Sequence, residues 1–283
     1  MARILRGAPV AAAINETTAA SLAALQANGV TPVLALVRVG ENGADAAYAR
    51  SAVRRCQALG AQARCLALPA DITQTALEDA LDALSRDDAV HGILLFQPLP
   101  KHLDAAAACA HLAPEKDVDG VTAASAAAVY TGRGPGFAPC TAEAALRLLD
   151  FYEIPLDGRH AVVVGRSAVI GRPAAMLLLQ RSATVTVCHS HTRNLAELTR
   201  QADVILAAAG RPALLDAGCL RAGQIVVDVG VNVLEDGTLT GDVDFAAAEA
   251  LADAVTPVPG GVGAVTTAVL LAHLAQAAGQ AAR

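Results

Sequence analysis

The stretch VVVGRSAVIGRP (162–173) decides the fold. It reads as an apolar β-branched strand, a glycine turn at Gly165, and the opening of a helix. Amides at a helix N-terminus behind such a turn suit a pyrophosphate. The spacing is not the dinucleotide fingerprint GxGxxG. After Gly165 the second and third glycine positions hold Ser167 and Ile170, and the next glycine is Gly171. No Gly-Lys-Ser/Thr follows, so it is not a Walker A loop either. The order strand, glycine turn, helix carries the reading of a cofactor loop. A plain strand–helix turn remains the alternative at this level.

The segments that follow choose between these readings. HAVVVG, ATVTVC, ADVILAAAG and GQIVVDVG read as strands, with RPAAMLLLQRS and NLAELTRQ as helices between them. That alternation describes a Rossmann-like sheet. An NAD site usually places an acid at the end of the second strand, on the ribose 2′-hydroxyl. Here that strand runs out as VTVCHSHTRN (185–194), without an acid. Arg166, Ser190 and Arg193 offer positive charge and a hydroxyl, which suits the 2′-phosphate of NADP. His189 and His191 receive no role.

The first half repeats the alternation. TPVLALVRVG (31–40), ARCLAL (63–68) and HGILLFQPLP (91–100) read as strands. An Ala-rich helix is expected over about 9–28, and a second in YARSAVRRCQALG (48–60), headed by Tyr48. DITQTALEDALDALSRD forms a third, capped by Asp71 or Thr73. This order implies parallel strands joined by crossover helices. TGRGPGFAPC (131–140) reads as a linker, with Thr141 as N-cap of the next helix and a helical tail from about Val262.

Composition narrows the classes. The 283 residues are 54% hydrophobic and 17% charged, as in a globular chain. A net charge of −6 and 2% aromatics argue against nucleic acid as partner. No uncharged run of 18 apolar residues is read, so no membrane span is expected. The N-terminus lacks a signal-peptide core, so a cytoplasmic protein is expected. The six cysteines make no CxxC or Cys/His cluster of zinc spacing, and no metal site is expected. The only lysines are Lys101 and Lys116, which excludes a lysine base from the first hundred residues.

Several segments together resemble one family. They are the Tyr48-headed helix with Cys56, the PLP turn at 98–100, KDVDG (116–120), PCT (139–141), VVVGRSAVIGRP, VVDVGVN (226–232), GDVDF (241–245) and TPVPGGVGAVTTAVL (256–270). In that order they resemble the bacterial FolD family of bifunctional methylenetetrahydrofolate dehydrogenase/cyclohydrolases, over nearly the whole chain. The resemblance implies a two-domain α/β enzyme. A βαβ folate-binding catalytic domain would cover 1–139, completed by a C-terminal helix at 263–283. A Rossmann-like NADP-binding domain would cover 140–262, with a cleft between the two. It implies tetrahydrofolate derivatives as substrates, NADP as cofactor and a homodimer.

Carried onto this chain, the resemblance gives Tyr48 the flat folate and Asp119 the amino-pyrimidinone edge of the pterin, as the two catalytic residues. Leu95, Phe96 and Gln97, with Pro259, Gly260, Gly261, Val262 and Gly263, would line the substrate. Gly165, Arg166, Ser167, Gly171, Ser190 and Val231 would contact NADP. The family's catalytic lysine lies four residues after the tyrosine, where this chain has Ala52. Its glutamine precedes the Pro-Leu-Pro turn by two residues, where this chain has Phe96, with Gln97 one residue late. A third departure, Ala264 for proline, is minor. Hydride transfer from the substrate needs positioning and no side-chain proton transfer. Hydrolysis of the methenyl product needs a positioned acid–base group, typically worth about 10²–10⁴-fold. The expectation is therefore an NADP-dependent dehydrogenase with weak or absent cyclohydrolase. The rivals are the fully bifunctional enzyme and a non-catalytic folate/NADP-binding paralogue.

Overall fold

The computed structural model describes residues 1–282, the side chain of Ala44 excepted. The chain divides into two compact units. One comprises Met1–Ala12 and Thr141–Thr266, the other Ala13–Cys140 and the chain from Thr267 onward. The elements in chain order begin with β1 (Arg3–Ile4) and α1 (Gly7–Ala27).

The unit containing residues 13–140 is built on β2 (Val33–Val39), α2 (Gly43–Leu59), β3 (Gln62–Leu68), α3 (Gln74–Arg86) and β4 (Gly92–Leu95). Its sheet is parallel in the order β3-β2-β4, with Leu36 opposite both Cys65 and Leu94. Alternate residues Ala35, Val37, Ile93 and Leu95 enter a core with Leu77 and Leu81, one turn apart on α3. Thr73 starts α3, its hydroxyl accepting from Ala76 N at 3.2 Å. α4 (Ala105–Cys109) and α5 (Ala123–Thr131) complete this part.

Strand β4 is shorter than its apolar run suggested. It ends at Leu95, because Pro98 and Pro100 carry no N–H for a ladder. The Gly/Pro segment at 131–140 is not a slack linker. Phe137 is buried, its N–H bonds to Ser125 Oγ at 3.3 Å, and its ring stacks on His273. The next helix, α6 (Cys140–Phe151), already includes Thr141, which therefore lies in the first turn and is no N-cap.

The other unit holds β5 (His160–Val164), α7 (Gly171–Gln180), β6 (Thr184–Cys188), α8 (Leu195–Gln201), β7 (Val204–Ala207), β8 (Ile225–Asp228), the hairpin β9 (Asn232–Val233) and β10 (Leu239–Thr240), α9 (Phe245–Leu251) and β11 (Ala254–Val255). Six strands pair in parallel in the order β1-β11-β8-β7-β5-β6. The chain leaves β5 to form β6 on one side, then crosses to form β7 on the other. This reversal is the switch point at which such sheets bind ligands, beyond the C-terminal strand ends.

The first residues correct the expected boundary. They do not belong with 13–140, because β1 is the edge strand of the six-stranded sheet, with Arg3 opposite Ala254. The last helix, α10 (Thr266–Ala281), packs from Thr267 onward with the first unit described. The segment Val262–Ala281 is long and apolar enough to cross a membrane, contrary to the expectation that no such stretch exists. The physical reason is that it is a core helix, 67% of its most apolar stretch being buried inside the protein.

Candidate active site

The glycine turn stands at the switch point. A hollow of about 340 Å³ lies over the ends of β5, β6 and β7, lined by Gly165, Arg166, Ser167, His189, Ser190 and Arg211 among others. Gly165 has φ +133°, and a Cβ there would lie 2.1 Å from Ala208 O, so only glycine lets the turn meet the end of β7. Gly171 does a different job from the cofactor contact expected of it. A Cβ on Gly171 would sit 2.2 Å from Gly165 O, so it lets α7 close onto the turn, and it does not line the hollow. Ser167 Oγ accepts from Ile170 N at 3.2 Å and Gly171 N at 3.3 Å. Arg166 is exposed and has no ion-pair partner among the described residues. Among the described residues, no Asp or Glu lines the hollow.

Two buried aspartates hold the loops around it. Asp242 accepts from Gly210 N at 2.9 Å, Arg211 N at 2.8 Å and Asn232 Nδ2 at 2.9 Å. Asp228 accepts from Gly230 N, Asp242 N and Val243 N at 2.9–3.0 Å. Burial pushes the Asp228 carboxyl up to about 6, against the pull of those three backbone donors. Arg211 was not singled out in the sequence. Its signal is the arginine directly after ADVILAAAG, legible only once β7 is known to flank β5. The cations and the hydroxyl suit the phosphates and ribose of a dinucleotide.

The same unit carries a second hollow of about 270 Å³. Pro259, Gly260, Gly261, Val262 and Gly263 line it, together with Val231. The glycine turn expected against substrate and Val231 expected against cofactor come to one surface. Gly260 has φ +100°, and its carbonyl accepts from Gly7 N at 2.8 Å.

In the other unit, Tyr48 on α2 meets Phe96 just beyond β4. Their rings are edge to face, with centroids 5.7 Å apart. Ala52, one turn along α2, is 1% exposed and Phe96 is 9% exposed, so this wall is apolar. Tyr48 as a whole is 38% exposed, but its hydroxyl end reaches the buried Thr267 of α10 at 3.5 Å. Burial raises the phenol above its ordinary value, the Thr267 bond pulls it down, and the charge of Asp119 raises it further. Gln97 points elsewhere, its Nε2 lying 3.6 Å from Cys109 Sγ. Leu95, expected against substrate, packs its side chain in the α3 core instead. Adjacent strand residues face opposite sides, so Phe96 and Leu95 cannot share a surface. Two of the arginines on α2, Arg50 and Arg54, line a separate hollow with Arg38 and Cys65. At 100° per residue that face lies opposite Tyr48.

The KDVDG turn presents Asp119. Asp117 is fully buried and structural, accepting from Val121 N at 3.0 Å, Thr122 N at 2.8 Å and Ser125 Oγ at 2.6 Å. Gly120 has φ +71°, and a Cβ there would come within 2.6 Å of the backbone at 137–139. Asp119 itself is only partly buried. Desolvation pushes its carboxyl up to about 6, a hydrogen bond from the Cys140 thiol lowers it, and Asp117 raises it.

A two-domain α/β protein with a dinucleotide-type pocket and a carboxylate-bearing turn defines a class of cofactor-dependent metabolic enzymes. The chain belongs to the tetrahydrofolate dehydrogenase/cyclohydrolase family and is an enzyme of tetrahydrofolate one-carbon metabolism. Residues 5–119 match the profile of that family's catalytic domain, and 139–282 match its NAD(P)-binding domain. The bifunctional protein FolD of Variovorax paradoxus strain S110 is 46% identical over 282 residues, 100% of this chain and 99% of that one. The solved bifunctional FolD dehydrogenase/cyclohydrolase of Campylobacter jejuni has a TM-score of 0.96 at 39% identity, covering 99% of both chains. That of Trypanosoma brucei, complexed with NADP cofactor and inhibitor, has a TM-score of 0.93 at 34% identity, covering 100% of this chain and 99% of that one.

Proposed function

We propose that the chain oxidises 5,10-methylenetetrahydrofolate to 5,10-methenyltetrahydrofolate with NADP, and that its cyclohydrolase activity is weak or absent. The observation that carries this is the wall facing Tyr48. Phe96 packs on the Tyr48 ring and the buried Ala52 stands one turn along α2, and neither can move a proton.

The Asp119 carboxylate accepts the paired N–H donors of the pterin edge, and the Tyr48 ring covers the flat heterocycle. The substrate's own ring nitrogen supplies the electron push, so these residues bind and orient. NADP, when bound, takes up the hydride. Arg166, Arg211 and Ser190 hold it through its phosphates and ribose, and the acid-free lining favours NADP over NAD. The family resemblance also implies a homodimer in the cytoplasm.

A second reading is full bifunctionality, favoured by the names of the relatives in Variovorax and Campylobacter. In it Asp119, with its raised pKa, handles the proton in place of the family lysine.

One assay separates the two. Purified protein is added to preformed methenyltetrahydrofolate, and loss of its absorbance is followed against buffer. The expected result is decay at the buffer rate, with activity gained in the double variant Ala52→Lys, Phe96→Gln. Protein-dependent hydrolysis well above buffer would favour the bifunctional reading. Reduction of NADP and NAD is measured on the same preparation with methylenetetrahydrofolate. Equal kcat/KM for the two refuses the cofactor preference, and no turnover with either would make the chain a binding paralogue.

A further inference from the structure

We infer that His273 and Cys140 are positioning residues for Asp119, His273 acting through the carbonyl of Val118 and Cys140 through that carbonyl and the carboxylate itself. The inference rests on the reading of Asp119 as the residue that meets the folate.

The Val118 carbonyl is the last main-chain acceptor before Asp119, and Val118 is fully buried. An imidazole N–H and a thiol converge on it, the thiol's single hydrogen being shared between this carbonyl and the Asp119 carboxylate. His273 Nδ1 lies 2.8 Å from Val118 O, and Cys140 Sγ lies 3.2 Å from the same atom. A carbonyl oxygen only accepts, so Nδ1 carries a hydrogen whatever the charge of the ring. The two donors lie side by side, with 3.7 Å between Sγ and Nδ1.

Neither donor can swing away. His273 is 3% exposed, and its ring stacks on Phe137 with centroids 4.7 Å apart and planes 29° apart. Cys140 is 1% exposed and begins α6. The strand beneath is cut back to admit the arrangement. A Cβ on Gly92 would come 2.8 Å from Val118 Cγ1 and 3.0 Å from Leu274 Cδ1, so glycine lets Val118 and α10 approach β4 together.

The carbonyl of residue 118 and the N–H of residue 119 belong to one rigid peptide plane. Fixing that oxygen therefore fixes the direction in which the chain enters Asp119. On the other side the left-handed Gly120, jammed against 137–139, fixes the exit. With both flanks held, the carboxylate meets paired donors without a conformational search, which is where its orientation affects binding. This buried use also explains a histidine and a cysteine that metal, redox or acid–base chemistry does not require.

The test compares three single variants with the parent and with Asp119→Asn. His273→Leu keeps bulk and removes the donor. His273→Asn keeps a donor, since its Nδ2 stands about where Nδ1 stood. Cys140→Ala removes the second donor at small cost in volume. Loss of a donor to a buried carbonyl should raise the KM for methylenetetrahydrofolate about tenfold in His273→Leu, and severalfold in Cys140→Ala. The KM for NADP should stay within about twofold, and His273→Asn should restore most of the folate KM. The inference is overturned if His273→Leu and Cys140→Ala bind NADP normally with the parent's folate KM, or if His273→Asn is as impaired as His273→Leu. If His273→Leu does not fold, His273→Gln, whose amide is displaced from the Nδ1 position, takes its place and should raise the folate KM where His273→Asn does not. If Asp119→Asn itself leaves the folate KM unchanged, it is the underlying reading of Asp119 that fails.

Discussion

Asp119 is a carboxylate held away from the pH range in which carboxylates ordinarily ionise. Its pKa rises from 3.8 to about 6, mainly because burial penalises the charged form. Between those two values the folded protein binds a proton that the unfolded chain has released. This group therefore favours folding most below pH 3.8, and that contribution is lost as pH rises through about 6. Binding runs the other way. Only the ionised carboxylate accepts two N–H donors, so kcat/KM for the folate should fall tenfold per unit as pH drops below about 6. The limb should be missing in Asp119→Asn, while the Kd for NADP stays flat. An acid limb that survives in Asp119→Asn, or one near 4, would detach this carboxylate from folate binding. The sequence could single out Asp119 only through the KDVDG resemblance. Its spacing alone does not separate it from Asp117, and the division of labour appears only in the hydrogen bonds.

At the scale of elements, a register of one residue decides who faces the ligand. β4 sends Leu95 into the α3 core and leaves Phe96 for Tyr48, because side chains alternate along extended chain. β1 offers a sharper test. It is two residues long, yet Ala2, Arg3 and Leu5 donate their N–H groups to Glu249, Asp253 and Val255 at 2.7–2.8 Å, and Leu5 is fully buried. Deleting residues 1–6 should remove roughly 2–4 kcal/mol of stability, from one buried leucine and an edge ladder. The melting temperature should fall by several degrees, and the Kd for NADP should rise before the folate KM does. An unchanged melting temperature would make β1 a decorative edge.

For the molecule as a whole, the apolar surface of the β9–β10 hairpin is the feature left uncovered. Val233 is 70% exposed, Val231 61% and Leu239 41%. Single exposed apolar residues are ordinary, but these are clustered, and Val231 and Leu239 also line the second hollow, so whether a second copy covers the hairpin is a matter for measurement. In line with the homodimer the family implies, light scattering at micromolar concentration should give twice the chain mass. Val233→Asp should shift that mass toward monomer without unfolding either unit. A parent that runs as a monomer at those concentrations would refuse the dimer.

The amino-acid sequence by itself determined the alternation of strands and helices, the glycine turn after β5, the missing acid after β6, and Ala52 and Phe96. Those are local properties: side-chain period, backbone freedom at glycine and the chemistry a residue can or cannot perform. Only the tertiary structure decided that β1 joins the far edge of a sheet whose other strands begin at residue 160. The same holds for Gly171, which serves helix packing, for Arg211, which joins the cofactor hollow, and for the thiol and imidazole that meet on Val118 O. Each depends on residues brought together across long stretches of chain, such as 118 with 273. Sequence periodicity reports which face of an element is buried, but not which distant element will be pressed against it.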